Sequence, residues 1–249
     1  MKARFFCPCC GRFHSGFKPG GARSAILAEL RVIGGGYRKS RKCPICFCLD
    51  RERLVYLFLT SLATILDGKK ILHIAPESHV RKLLEDKSPT SYFSGSLHFR
   101  LNTPKMDIMK IPFSNDFFHL IVCNHVLEHI PYDRLAMAEI FRVLKPGGLA
   151  ILQVPISSKI EKSCENAEMN TSDLRAEAFG QRDHVRIYAK TDYISRLQAV
   201  GFVMQVINFS HGKNPVFAKQ HGINSAEELY IGCKATLARQ LQACVPALP

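Results

Sequence analysis

The sequence predicts an α/β chain: a doubly wound, mostly parallel sheet preceded by a small cysteine-clamped module. From Lys69 onward, strand-like and helix-like segments alternate, the mark of a parallel sheet with crossover helices. Six of the 10 cysteines fall within the first 48 residues. The chain of 249 residues accommodates one full α/β domain plus an accessory module, but not two large domains. Hydrophobic residues at 47% against charged residues at 22% are an ordinary globular balance, so a sizeable core is expected.

Residues 1–50 are the expected module. They are rich in Cys, Gly, Arg and Lys, include Gly34-Gly35-Gly36, and have few periodic apolar positions. Such a stretch buries little surface and needs a staple. Cys7-Pro8-Cys9-Cys10-Gly11 and Cys43-Pro44-Ile45-Cys46 supply one, as two C-x-x-C turns that each offer two thiolates from a tight loop. Together they complete a tetrahedral site suited to Zn2+, with sulfur ligands at about 2.3 Å. Cys7, Cys10, Cys43 and Cys46 are the expected ligands; Cys9 and Cys48 are spares, and His14 is a weaker candidate. Four protein ligands close a site, so the zinc is expected to be structural.

Met1-Lys2-Ala3-Arg4 leads straight into cysteines rather than into an apolar run, so no secretory signal is expected. Cytoplasmic localisation follows, and paired cysteines in a reducing compartment more often hold metal than form disulfides. The most apolar stretch, Val55 to Leu66, falls short of the ~20 residues that span a bilayer. It reads as a buried part of a connecting helix over residues 51–68. The net charge of +13 is uneven: residues 1–54 carry 12 Lys and Arg against 3 Asp and Glu, or +9. That suits an anionic partner, either a nucleic acid, a nucleotide-linked substrate or an anionic surface.

The third part, residues 69–249, carries the alternation. Lys70 to Ile74 is a buried strand, followed by a helix from about Glu77 to Glu85. Ser91-Tyr92-Phe93 is a short second strand, and Phe118 to Cys123 a strong later one. A helix is expected from Pro131 to Leu144, stopped by Pro146-Gly147-Gly148. Leu149 to Val154 is the next strand. After a polar insertion over about 157–189 come a helix from Thr191 to Val200 and a closing antiparallel pair, Phe202 to Phe209 and Leu229 to Cys233. The last residues are expected to form a frayed helix.

Four pieces occur in a fixed order: Met106-Asp107-Ile108, Ile111-Pro112-Phe113, Asn124-His125-Val126-Leu127-Glu128-His129-Ile130, and Arg142-Val143-Leu144-Lys145-Pro146-Gly147-Gly148. This order closely resembles the class I S-adenosylmethionine-dependent methyltransferases, and most closely the branch called type 11. The resemblance covers roughly residues 69–233 and is most specific from Asp107 to Gly148. The chain also resembles a bacterial subgroup in which cysteine knuckles precede a histidine-alanine-proline-glutamate loop. The resemblance implies a Rossmann-like sheet, S-adenosylmethionine as cofactor and methyl transfer as the reaction.

In an open parallel sheet, ligands bind beyond the strand ends where the strand order reverses. The first strand ends at His73-Ile74-Ala75-Pro76-Glu77 and the fourth at Asn124-His125, so these loops are expected to flank the cofactor. The resemblance implies that Asp107, ending a short third strand beside Ile108, accepts a hydrogen bond from the adenine amino group; the alternative is a surface turn. Two departures stand out. His73 occupies the place of an acid, before a loop with alanine, proline and glutamate instead of glycines, and Glu77 is expected to pair with the cofactor's ammonium. The acid that holds the ribose hydroxyls falls near Ser96. A serine makes one such bond where a carboxylate makes two; at ~1.5–3 kcal/mol each, binding would be ~10-fold weaker.

Methyl transfer from a sulfonium needs a general base only when the acceptor is poorly ionised. His129, after the fourth strand, and His184, in the polar insertion, are the candidate catalytic residues. The alternative for His129 is a helix-entry residue that packs the loop, and for His184 it is lid structure. Asp183 is placed to orient an imidazole, and Arg182 and Arg186 to grip an anionic acceptor. The expected partner is a small-molecule or glycan acceptor, with 157–189 as its lid. The alternative is an rRNA-type RNA methyltransferase whose basic zinc module contacts RNA. A third reading is a zinc-containing binding protein without activity.

Overall fold

The computed structural model describes residues 5–62, 64–88, 90–98, 102–208 and 215–235. The chain divides into two compact units. One gathers Met1–Phe58, Pro155–Asp192 and Ile207–Leu229; the other gathers Leu59–Val154, Tyr193–Val206 and Tyr230–Pro249. The polar insertion thus clusters with the cysteine-rich residues.

The second unit is built on a six-stranded sheet. Its strands are β1 (Ile71–Ile74), β2 (Tyr92–Gly95), β3 (Phe118–Asn124), β4 (Leu144–Gln153), β5 (Val203–Asn208) and β6 (Glu228–Cys233). The spatial order is β5-β6-β4-β3-β1-β2. β1 pairs in parallel with both β2 and β3, β3 pairs in parallel with β4, and β6 is antiparallel to β4. The helices are α1 (Ser78–Lys87), α2 (Asp133–Val143) and α3 (Lys190–Ala199). β1 and β3 read as continuous apolar runs because helices cover both faces of a parallel sheet. Ile71, Leu72, Ile121 and Val122 accordingly have no exposed surface. The chain runs outward from β1 to β2, then returns past β1 to β3, so the strand order reverses between β1 and β3.

Several boundaries differ from expectation. The connecting helix spans Asp50–Ser61 and gives way to turns in which Ile65 N–H bonds to Leu62 O and Lys69 N–H to Leu66 O. The third strand is reduced to one isolated bridge between Ser96 and Lys105. The helix expected from Pro131 starts at Asp133, after a separate 3-10 turn at Leu127–His129. Pro146-Gly147-Gly148 does not follow that helix as a stop; it lies within β4. There Phe118 pairs with Leu144 and Leu120 with Leu149, so the extra residues on β4 bulge outward. Gly147 takes a left-handed φ of 79°, and its N–H bonds to Lys234 O at 2.6 Å. The last residues, expected to form a frayed helix, lie outside the described residues.

In the first unit, two antiparallel hairpins (Phe5–Cys7 with Arg12–His14, and Lys18–Gly20 with Arg38–Lys42) surround the cysteines. A four-stranded sheet joins Cys164–Glu165, Arg186–Ala189, Ile156–Ser157 and Val32–Ile33, tying the insertion to the N-terminal residues. Arg53, fully buried, knits the unit together. Its guanidinium donates to the carbonyls of Ser40 (2.6 Å), Cys48 (3.1 Å), His221 (2.8 Å) and Gly222 (2.9 Å), and it stacks 3.9 Å over Phe17.

Candidate functional site

In the second unit, the β1–β3 reversal point carries a buried polar cluster. β1 ends at Ile74, and Ala75 turns the chain with a left-handed φ of 49° while its N–H bonds to Gly95 O at 2.8 Å. Glu77 stands at the cap position of α1, yet its carboxylate does not cap the helix. It turns back instead: His73 Nε2 lies 3.2 Å from Glu77 Oε2, and Asn124 Nδ2 donates to Glu77 Oε1 at 2.5 Å. His73 Nδ1 lies 3.1 Å from the Tyr92 hydroxyl. One tautomer satisfies all three contacts, with Nε2–H donating to the carboxylate and Nδ1 accepting from the phenol. Burial pushes the Tyr92 phenol well above its ordinary pKa, so it stays a donor.

Glu77 stands where a glycine would stand in a typical loop, and His73 and Asn124 hold its carboxylate in place. Asn124, 3% exposed, leaves Oδ1 buried without a partner. An orphaned acceptor beside a carboxylate suits a ligand group rich in N–H donors, such as the ammonium of S-adenosylmethionine.

The remaining expected cofactor residues lie in the same unit. Ile74 and Ile108 are buried, Pro76 follows the left-handed turn, and Ser96 is buried at its isolated bridge. Met106 packs where a Cβ on Gly95 would stand, 2.5 Å from its own Cβ, which brings the next residue, Asp107, to the end of β2. Asp107 Oδ1 accepts the Met109 N–H at 2.8 Å, so the carboxylate is held by a turn. His125, with a φ of 54°, bonds through N–H to Gln153 O at 2.8 Å and holds Nδ1 3.2 Å from Glu128 Oε1.

His129 ends the 3-10 turn, with its side chain 30% exposed and Nε2 4.0 Å from Glu128 Oε1. His184 belongs to the other unit and is buried there. The two cations expected to grip an acceptor are already paired: Arg182 bonds to Asp173 and Arg186 to Glu165, each at 2.8 Å.

In the first unit, the Sγ atoms of Cys7, Cys43, Cys46 and Cys48 all lie within 4.8 Å of one another. Cys48 thus stands in the set at the place assigned to Cys10, which packs against the cluster with Cys9. The local backbone explains this. Cys43 N–H bonds to Cys48 O at 3.0 Å and Phe47, at a left-handed φ of 66°, bends the chain, so Cys48 folds back over the knuckle. Cys48 is 1% exposed, whereas Cys10 is only half-buried.

Residues 58–152 match the family described as a methyltransferase domain. The chain carries a class I S-adenosylmethionine-dependent methyltransferase domain. The methyltransferase has no significant similarity to any curated protein. Among solved structures it is similar to a putative methyltransferase from Bacillus halodurans at 16% identity and TM-score 0.44, covering 72% of this chain and 99% of that one. It is also similar to an S-adenosylmethionine-dependent methyltransferase from Archaeoglobus fulgidus, at 11% identity and TM-score 0.47, covering 73% and 93%. A third, from Mesorhizobium loti, has 13% identity and TM-score 0.46, covering 71% and 97%. No helix among the described residues is long and apolar enough to cross a membrane.

Tyr92 is the functional candidate that sequence reasoning missed in this methyltransferase. Its only sequence signal is its place opposite β1: Ile71 pairs with Tyr92, two residues from His73.

Proposed function

We propose that this methyltransferase moves the methyl group of S-adenosylmethionine onto a hydroxyl of a small or saccharide-type acceptor. The observation that supports the donor part of this reading is the buried His73–Glu77–Asn124 cluster, with its orphaned Asn124 Oδ1, at the reversal point of the sheet. Glu77 and Asn124 hold the donor's ammonium, the Asp107 turn takes the adenine amino group, and Ser96 takes a ribose hydroxyl.

The bound donor supplies a methyl already activated by a sulfonium. The chain's part is to hold the acceptor oxygen in line with it at ~3–3.5 Å and to exclude water. The chain's own residues take the acceptor proton onto an imidazole as the hydroxyl is held against the donor. His129 and His184 are the proposed bases, and the 157–189 insertion is the proposed acceptor segment.

In this reading the cysteine cluster holds a structural Zn2+. Tetrahedral bonds of about 2.3 Å place neighbouring sulfurs about 3.8 Å apart. Cys7 Sγ lies 3.7 Å from Cys46 Sγ and 3.3 Å from Cys48 Sγ. These two separations lie within about half an ångström of that spacing.

A second reading, RNA as acceptor, is favoured by one observation. Phe13, Tyr37 and Phe47 are exposed on the basic unit, with Lys42 4.6 Å over the Phe47 ring and Arg23 4.8 Å over Tyr37. Exposed rings interleaved with cations are platforms for stacked bases. Incubation with methyl-labelled donor separates the readings. Label recovered in sugar-containing small molecules supports the first, whereas label in RNA, with affinity falling steeply in salt, replaces it with the second.

A further inference from the structure

The first unit contains a cavity of about 550 Å³ that no part of the methyl-donor reading uses. It lies between the short helix Ala25–Glu29 and the Gly34-Gly35-Gly36-Tyr37 loop. Its size falls within the roughly 300–1,000 Å³ of small-molecule sites. Arg23 and Arg31 contribute two guanidinium groups, and neither has an ion-pair partner among the described residues. No acidic side chain among the described residues lines it. Leu27 and Val32 supply an apolar wall, and Tyr37, 45% exposed, offers a flat ring with the Arg23 guanidinium 4.8 Å from its centre.

The loop that forms this wall is held rigidly. Arg38 donates to Gly36 O at 2.8 Å and is itself gripped by both carboxylate oxygens of Asp50. Gly36 has a left-handed φ of 67°, and the backbone of Gly21 runs so close that a Cβ there would lie 1.9 Å from Gly36 O. On the opposite side, Ser157 Oγ donates to Leu30 O at 2.6 Å, and Ser158 Oγ to Arg31 O at 3.2 Å. The walls are therefore fixed by hydrogen bonds, and Arg23, Arg31 and Tyr37, all exposed, line the cavity.

We propose that this cavity binds a nucleoside diphosphate, free or as the carrier of a sugar. The diphosphate lies on Arg23 and Arg31, and the base stacks on Tyr37. Guanidinium pairs are matched to phosphate oxygens, and stacking on an aromatic ring tolerates any base. An apolar wall beside paired cations is more than a bare phosphate needs.

Calorimetric titration of the full chain with UDP and ADP tests this, with uridine, inorganic pyrophosphate and a single-stranded RNA oligonucleotide as comparators. Both nucleotides should bind, and uridine and pyrophosphate alone should each bind about tenfold more weakly or worse. Arg31→Gln and Arg23→Gln should each weaken UDP about tenfold, and Tyr37→Leu should weaken UDP without changing pyrophosphate. These side chains are exposed, so folding should be unaffected. Their affinity for S-adenosylmethionine should be that of the unaltered chain, which keeps this proposal separate from the methyl-donor reading. Pyrophosphate binding as tightly as UDP would reduce the cavity to an anion trap and overturn it. So would no nucleotide binding, or tight binding of RNA alone.

Discussion

His73 Nε2 stands 3.2 Å from Glu77 Oε2, across the junction between the first core strand and the helix that follows. The histidine has no exposed surface, and its other nitrogen meets the Tyr92 hydroxyl at 3.1 Å. The carboxylate can only accept, so Nε2–H of His73 donates to it, and the Tyr92 hydroxyl donates to Nδ1.

Tyr92→Phe removes the hydroxyl and leaves the ring packing intact. The buried Nδ1 of His73 then loses its donor, and the ring that orients the Glu77 carboxylate is held less firmly. Donor affinity should fall about three- to tenfold, the range of one hydrogen bond, with thermal stability little changed. Unchanged affinity would remove Tyr92 from the site.

The two possible ligand sets of the cysteine cluster can be told apart by single substitutions. Cys48→Ser should lower the zinc content of the purified protein and lower its thermal midpoint, while Cys10→Ser should leave both close to normal. The opposite pattern, measured by elemental analysis and thermal unfolding, would restore Cys10 as the fourth ligand.

Arg53→Met keeps much of the side-chain volume but leaves several buried carbonyls without a donor. Each such loss costs about 1–3 kcal/mol. The first unit should therefore be destabilised by more than about 3 kcal/mol, read by denaturant unfolding. A change below about 1 kcal/mol would mean that water replaces the guanidinium at small cost.

His119 gives the second unit a pH dependence. Burial, followed by the charges of Lys145, Lys69 and Lys70, holds its pKa below the ordinary 6.5. Its Nδ1 accepts the Lys70 N–H at 3.1 Å, which requires the neutral ring. The unfolded chain therefore binds the proton more readily. This contribution is complete above about pH 6.5 and is lost as pH falls from there toward the folded-state pKa. Between pH 7.5 and 5.5 the thermal midpoint should fall less in His119→Gln than in the unaltered chain. Equal slopes would contradict it.

What was legible in the sequence depended on range. The parallel strands were readable because burial on both faces demands continuous apolar runs, as in Ile71–Ile74 and Phe118–Asn124. The reversal point followed from the order of those runs, and with it the loops holding His73, Glu77 and Asn124. Pro146-Gly147-Gly148 misled because its residues read locally as a helix stop, whereas pairing with β3 makes them a bulge within a strand. Spacing favours Cys10, which completes a C-x-x-C turn with Cys7, whereas Cys48 follows Cys46 by only two residues; the bend at Phe47 is what brings Cys48 into the set. The pairing of residues 156–157 with 32–33 is long-range and leaves no periodic trace.

In the proposed function, Glu77, held by His73 and Asn124, receives the methyl donor. Calorimetric titration of the purified, zinc-loaded chain with S-adenosylmethionine and its demethylated product tests it directly. The account predicts micromolar binding of both, weakened at least about tenfold by Glu77→Gln and by Asn124→Ala, since each removes a charged or buried acceptor. Absence of binding, or binding indifferent to both substitutions, would contradict it.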